Sequence, residues 1–135
     1  MNHDSTVEIL LVEDDPHDME LALRALKKAN IANSIKVVRD GAEALEFVFC
    51  EGQFSTRRPA RPPKVILLDL KMPKKNGLEV LQWIRHHPRL GSLTVIMLTS
   101  SIDHDDIEKS KKFHVVKNFV SKPLDTEKIR SLIGS

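Results

Sequence analysis

The sequence predicts a single α/β domain: a doubly wound parallel sheet of five strands in the order 2-1-3-4-5, with helices on both faces. Three observations carry this. Strand-like apolar runs alternate five times with helix-like amphipathic runs, the pattern of right-handed β-α-β crossovers. The first, third and fourth apolar runs are the most hydrophobic, which puts them at the centre of the sheet and the second and fifth at its edges. Order 2-1-3-4-5, known from other doubly wound proteins, satisfies that. Finally, polar residues collect where the strands end, along the rim on which open α/β sheets bind ligands.

Each element has its own grounds. Val7–Val12 (VEILLV) reads as the first strand and ends in Glu13, Asp14 and Asp15. Asp15 is placed to cap a helix opening at Pro16, with Asp18 in its first turn. Met19, Ala22, Leu23, Leu26 and Ala29 form that helix's apolar face. Ile35–Val38 (IKVV) carries a lysine and reads as a less buried strand. Asp40 and Glu43 have capping-box spacing for a helix that buries Ala44, Leu45, Val48 and Phe49. The segment 51–64 (EGQFSTRRPARPPK) is rich in proline and arginine and reads as a long connection without an element of its own.

Val65–Leu68 is of the length and β-branched content of a strand buried on both faces, and Asp69 stands at its end. Met72-Pro73 stops the extension, and Asn76 caps a helix over Gly77–His87 with Val80, Leu81 and Ile84 inward. Leu93–Thr99 is the fourth strand. Asp103–Phe113 reads as a weak, mostly polar helix anchored by Ile102, Ile107 and Phe113. Asn118–Ser121 is a short fifth strand before Lys122-Pro123, and Asp125 caps a last helix using Ile129, Leu132 and Ile133.

Composition narrows the function classes. The chain has 135 residues, which fit one domain at 1–135, and is 41% hydrophobic and 30% charged, hence globular. A net charge of +2 points to no particular partner, and the single Cys50 permits no intrachain disulfide. The N-terminus lacks a signal-peptide pattern, and no apolar run approaches the ~20 residues that span a bilayer. A cytoplasmic location without membrane attachment is expected. Arg57, Arg58, Arg61 and Lys64 are basic but come with no recognition helix or aromatic platform, so no nucleic-acid partner is expected. The six histidines show no ligand spacing beyond the adjacent His86 and His87, which end a helix.

The chemistry lies in Glu13-Asp14, Asp69, Thr99 and Lys122, each at the carboxyl end of a different predicted strand. Singly, each has a plain structural explanation as a strand-end acid, a β-branched strand residue or a turn lysine. Together they put clustered carboxylates beside a hydroxyl and an ammonium. Such carboxylates repel unless a cation sits among them, and Mg²⁺ takes few protein oxygens while keeping waters that a phosphate can replace. A carboxylate can attack phosphorus, with metal and lysine balancing charge on the phosphoryl oxygens.

Here the chain resembles a response-regulator receiver domain over essentially its whole length, with the flavodoxin-like (βα)5 fold that this implies. The matching motifs are LLVEDD, VILLDLKMPKKNG, VIMLTSS and NFVSKP, with Pro73 and Gly77 at the family's spacing. The resemblance implies that Asp69 is the phosphoacceptor. Asp14 would be a direct Mg²⁺ ligand, Glu13 a ligand largely through water, and the backbone carbonyl of Lys71 a further one. Thr99 and Phe119 would form the switch pair, and Lys122 would partner the phosphoryl group. The implied partner is a sensor histidine kinase. The Arg/Pro-rich insertion, the VLQWIRHHPRLGSLTVIMLTSS stretch and the lack of an output domain are similar to small receivers paired with phytochrome-type kinases. An intermediate phosphoryl shuttle in a multi-step relay is the alternative function. A homodimer through the helix 4–strand 5–helix 5 face is expected.

Three departures stand out. Glu13 replaces the commoner aspartate, Phe119 the commoner tyrosine, and Val115 a usual glycine, which leaves the turn at 115 as an open question of geometry. Two rival readings fit less well. A phosphoester hydrolase would resemble a D-x-D pattern, but Lys71 occupies the second acid's place. A flavin or nucleotide module needs a phosphate loop where Glu13-Asp14-Asp15 would repel one. The chain is therefore expected to be a phosphoacceptor and not a turnover enzyme on external substrates.

Overall fold

A computed structural model describes residues 9–29, 34–57, 63–70, 76–86, 93–99, 104–122 and 124–132. Five parallel strands, β1 (Ile9–Val12), β2 (Ile35–Val38), β3 (Val65–Asp69), β4 (Thr94–Thr99) and β5 (Val116–Ser121), form one sheet in the order β2-β1-β3-β4-β5. The helices are α1 (Pro16–Ala29), α2 (Gly41–Phe49), α3 (Gly77–Arg85), α4 (His104–Ser110) and α5 (Thr126–Leu132).

Side chains alternate across the strands, so each central strand feeds two cores. Leu10, Val12, Ile66, Leu68, Val95 and Met97 point to the α2–α3 side. Ile9, Leu11, Leu67, Ile96 and Leu98 point to the other, where they meet Ala22, Ala25 and Leu26 of α1 and Ile129 of α5. β1 is buried at all four positions, whereas only Val38 is buried in β2, the outcome its Lys36 predicts. Ala25 joins the buried face of α1 beside the expected Ala22 and Leu26.

Caps fix the helix starts. Asp15 Oδ1 accepts from the N–H groups of His17 (2.8 Å) and Asp18 (3.1 Å) at α1. Asp40 Oδ1 accepts from Glu43 N–H at 2.8 Å. At α3 the capping box is complete: Asn76 Oδ1 accepts from Glu79 N–H, and Glu79 Oε1 accepts from Asn76 N–H. Asp125 Oδ1 accepts from Lys128 N–H at α5.

Three expectations are corrected. The segment 51–64 is not a bare connection, because a 3-10 helix spans Gly52–Arg57. Cys50 and Gly52 both take left-handed backbone (φ 56° and 53°) and turn the chain back off the end of α2. Phe54 is thereby buried edge-on against Phe47, ring centroids 5.0 Å apart, with the Lys36 ammonium 5.3 Å above its own ring. Phe47 itself is fully buried and was missing from the expected face of α2. The fifth strand starts at Val116, not Asn118, because the register against β4 slips between Val95 and Ile96. A bulge of this kind breaks the alternation by which a strand is read. Finally, α4 is shorter than expected; Phe113 is buried but lies beyond its end, and Ile102 falls outside the described residues. Val115 needs no glycine-like backbone: among the described residues Cys50 is the non-glycine with positive φ. Its side chain enters the core, and its carbonyl accepts from Val95 N–H at 2.8 Å.

Candidate functional site

Register brings the strand ends together. Val12 pairs with Leu68, Asp69 with Leu98, and Thr99 with Ser121, so Glu13, Asp69, Thr99 and Lys122 share one rim. The Lys122 N–H donates to Thr99 O at 2.9 Å and ties the last of these ends to its neighbour.

The side chains of Lys122, Asp69 and Glu13 meet on this rim. Lys122 Nζ lies 2.6 Å from Asp69 Oδ2 and 2.9 Å from Glu13 Oε1. Glu13 and Asp69 are buried, at 2% and 5% exposure, so this pairing is shielded from water far more than a surface ion pair. Asp14 is exposed on the outer side of the same cluster. Glu13, Asp14 and Asp69 each offer a carboxylate oxygen within 4.8 Å of the others. Three hard oxygen donors suit Mg²⁺ or Mn²⁺, not a thiolate- or imidazole-seeking ion.

Electrostatics reflect the burial. Loss of water pushes the Glu13 carboxyl up to about 7, against the downward pull of its Lys122 bond, and the neighbouring Asp69 charge adds to the rise. Burial would lower the Lys122 ammonium, but bonds to Asp69 and Glu13 and their charges raise it above its ordinary value. Asp15 is held below the usual carboxylate range by the Asp18 and His17 N–H groups, the signature of a cap.

Thr99 is buried, and its hydroxyl donates to Val120 O at 3.4 Å. Phe119 is half-buried against the α2–α3 core, while the next residue, Val120, enters the opposite one. Asn118, Phe119, Val120, Ser121, Lys128 and Ser131 line an open cavity of about 340 Å³ between β5 and α5. Lys71 and Pro73 lie outside the described residues.

Sequence reasoning passed over one residue. Asp18 Oδ2 lies 3.4 Å from Lys122 Nζ, a third acid on the same ammonium. An acid in the first turn of a helix is explained by the helix end alone, so only the fold reveals this contact.

Comparison with known proteins agrees with the geometry. The family model described as "Response regulator receiver domain" matches residues 9–134. Response regulator Rcp1 of Synechocystis sp. is 39% identical over 107 residues, 79% of this chain and 71% of Rcp1. A solved Mn²⁺-bound form of Rcp1 aligns with TM-score 0.76 at 34% identity, covering 93% of this chain and 88% of that one. The bacteriophytochrome response regulator RtBRR aligns with TM-score 0.84 at 46% identity, covering 95% and 76%. The phosphorylated cyanobacterial phytochrome response regulator RcpA gives 0.76 at 36% identity, covering 93% and 87%. No helix among the described residues is long and apolar enough to cross a membrane. With a matched span from β1 past the end of α5, the chain belongs to the response regulator receiver domain family.

Proposed function

We propose that this receiver takes a phosphoryl group on Asp69 from the phosphohistidine of a sensor histidine kinase and passes the signal on through its α4–β5–α5 face. The observation that carries the reading is the Asp69 carboxylate, buried at the end of β3 with the Lys122 ammonium 2.6 Å away and two further acids beside it. In the transfer, an Asp69 oxygen bonds to phosphorus as the phosphorus–nitrogen bond of the donor breaks. The imidazole leaves neutral, keeping the proton on its other ring nitrogen. Lys122 and the Thr99 hydroxyl then bond the phosphoryl oxygens. Mg²⁺ bound by Asp14, Asp69 and, through water, Glu13, with the Lys71 carbonyl as a further ligand, would supply the neutralising charge for those oxygens.

Similarity to RtBRR, RcpA and Rcp1 supports a phytochrome-type kinase as the donor and a divalent cation as the cofactor. We read Thr99 and Phe119 as the switch pair, the chain as cytoplasmic, and the phosphorylated form as a homodimer. The test is transfer from an autophosphorylated phytochrome-type kinase, and from acetyl phosphate, in the presence of Mg²⁺. Acid-labile label is expected on the native chain and absent from Asp69→Asn; equal labelling of that variant refutes the assignment.

A further inference from the structure

Among the described residues, Lys122 has one acidic partner that the candidate cation cluster does not claim. Its ammonium touches Asp69 at 2.6 Å, Glu13 at 2.9 Å and Asp18 at 3.4 Å. Glu13 and Asp69 belong to the cation cluster with Asp14; Asp18 does not. A divalent ion and an ammonium repel each other and draw on the same two carboxylates, so filling the cluster weakens the lysine's hold on both. Among the described residues, Asp18 is the acidic partner left to it. The place of this residue is fixed from behind, since the Asp15 cap accepts its N–H at 3.1 Å. Its carboxylate is 30% exposed.

We infer that Asp18 is a positioning residue for Lys122. It gives the ammonium a second seat, so that a divalent cation enters among Glu13, Asp14 and Asp69 without driving the lysine from the rim. The purpose of this seat rests on the proposed phosphoryl chemistry. The competing explanation, an acid that merely favours the positive end of α1, does not act through Lys122.

A double-mutant cycle separates the two. Mn²⁺ serves as the probe, titrated into the unphosphorylated full chain and followed by electron paramagnetic resonance. The variants are Asp18→Asn, Lys122→Met and the pair, each checked for folding by circular dichroism. Lys122→Gln takes the place of Lys122→Met if the latter does not fold. Asp18→Asn is expected to weaken binding about fivefold when Lys122 is present and less than about twofold when it is not, as contacting residues couple. Asp18→Glu, which keeps the charge, is expected to recover most of the loss. Equal weakening in both backgrounds, no weakening at all, or a glutamate as poor as asparagine overturns the inference. The titration needs no phosphoryl donor, so its failure is read independently of Asp69 labelling.

Discussion

A Cβ built on Gly77 would lie 2.9 Å from the carbonyl oxygen of Asp69. The Gly77 N–H also donates to Leu70 O at 2.9 Å, so the start of α3 presses directly against the end of the strand that carries the candidate acceptor. The backbone of Leu70, 3.0 Å from the same point, cannot yield as a flexible side chain would.

Gly77→Ala is therefore expected to destabilise. Alanine favours a helix by up to about 1 kcal/mol over glycine, but crowding a packed site costs about 1–3 kcal/mol. Crowding wins, with a net loss of about 1–2 kcal/mol in urea unfolding and slower labelling of Asp69. A variant as stable as the native chain would show that the strand end gives way freely.

Phe54→Ala tests the 3-10 segment. Removing a buried phenylalanine costs about 3 kcal/mol, here by emptying the space between Phe47 and Lys36. Trypsin should then cut more readily within 51–64, while label per folded molecule stays unchanged. Lost labelling in a folded Phe54→Ala protein would tie the segment to the chemistry.

These two sites mark what the sequence could reveal. Strand order was legible because Lys36 dilutes β2 while Val65–Leu68 is uniformly apolar, and the rim followed from the strand ends. Phe54 was hidden among prolines and arginines, since one aromatic makes no periodicity. The start of β5 was hidden by the slip near Val95, and the link from Asp18 to Lys122 spans the fold. Long-range pairing of one helix-start acid with one strand-end lysine leaves no local pattern.

Glu13 predicts a pH dependence. Its carboxyl is raised to about 7 from an ordinary 4.5, so the folded, cation-free chain holds a proton that the unfolded chain has lost. The contribution of Glu13 to stability is therefore greatest below about 4.5, falls as pH rises towards 7, and is fully lost above it. A cation needs the ionised form, so its binding releases a proton and strengthens from pH 6 to 8. Mn²⁺ titrations across that range should show the trend, and Glu13→Gln should flatten it. A flat profile in the native chain would mean that Glu13 is already ionised.

The last prediction concerns output. Ser110 is the buried residue of α4, and Ile107 is only partly buried, so little apolar area holds this helix to the sheet and its displacement costs little. Thr99 lies on the strand beside β5, and its hydroxyl bond to Val120 O is long, at 3.4 Å. Giving up that bond for a phosphoryl oxygen would cost under about 1 kcal/mol, which suits the switch role proposed for Thr99. A ligand shifts such an equilibrium only by its difference in affinity for the two states, and the proposed threonine and lysine bonds to the phosphoryl group would supply one. Beryllofluoride, a phosphoryl mimic, is thus expected to drive the native chain from monomer towards dimer in sedimentation across a range of concentrations. Thr99→Val should leave thermal stability within a few degrees yet abolish that response. A monomer under every condition would remove the homodimer from the proposed function, and a Thr99→Val protein that dimerises normally would remove threonine from the switch.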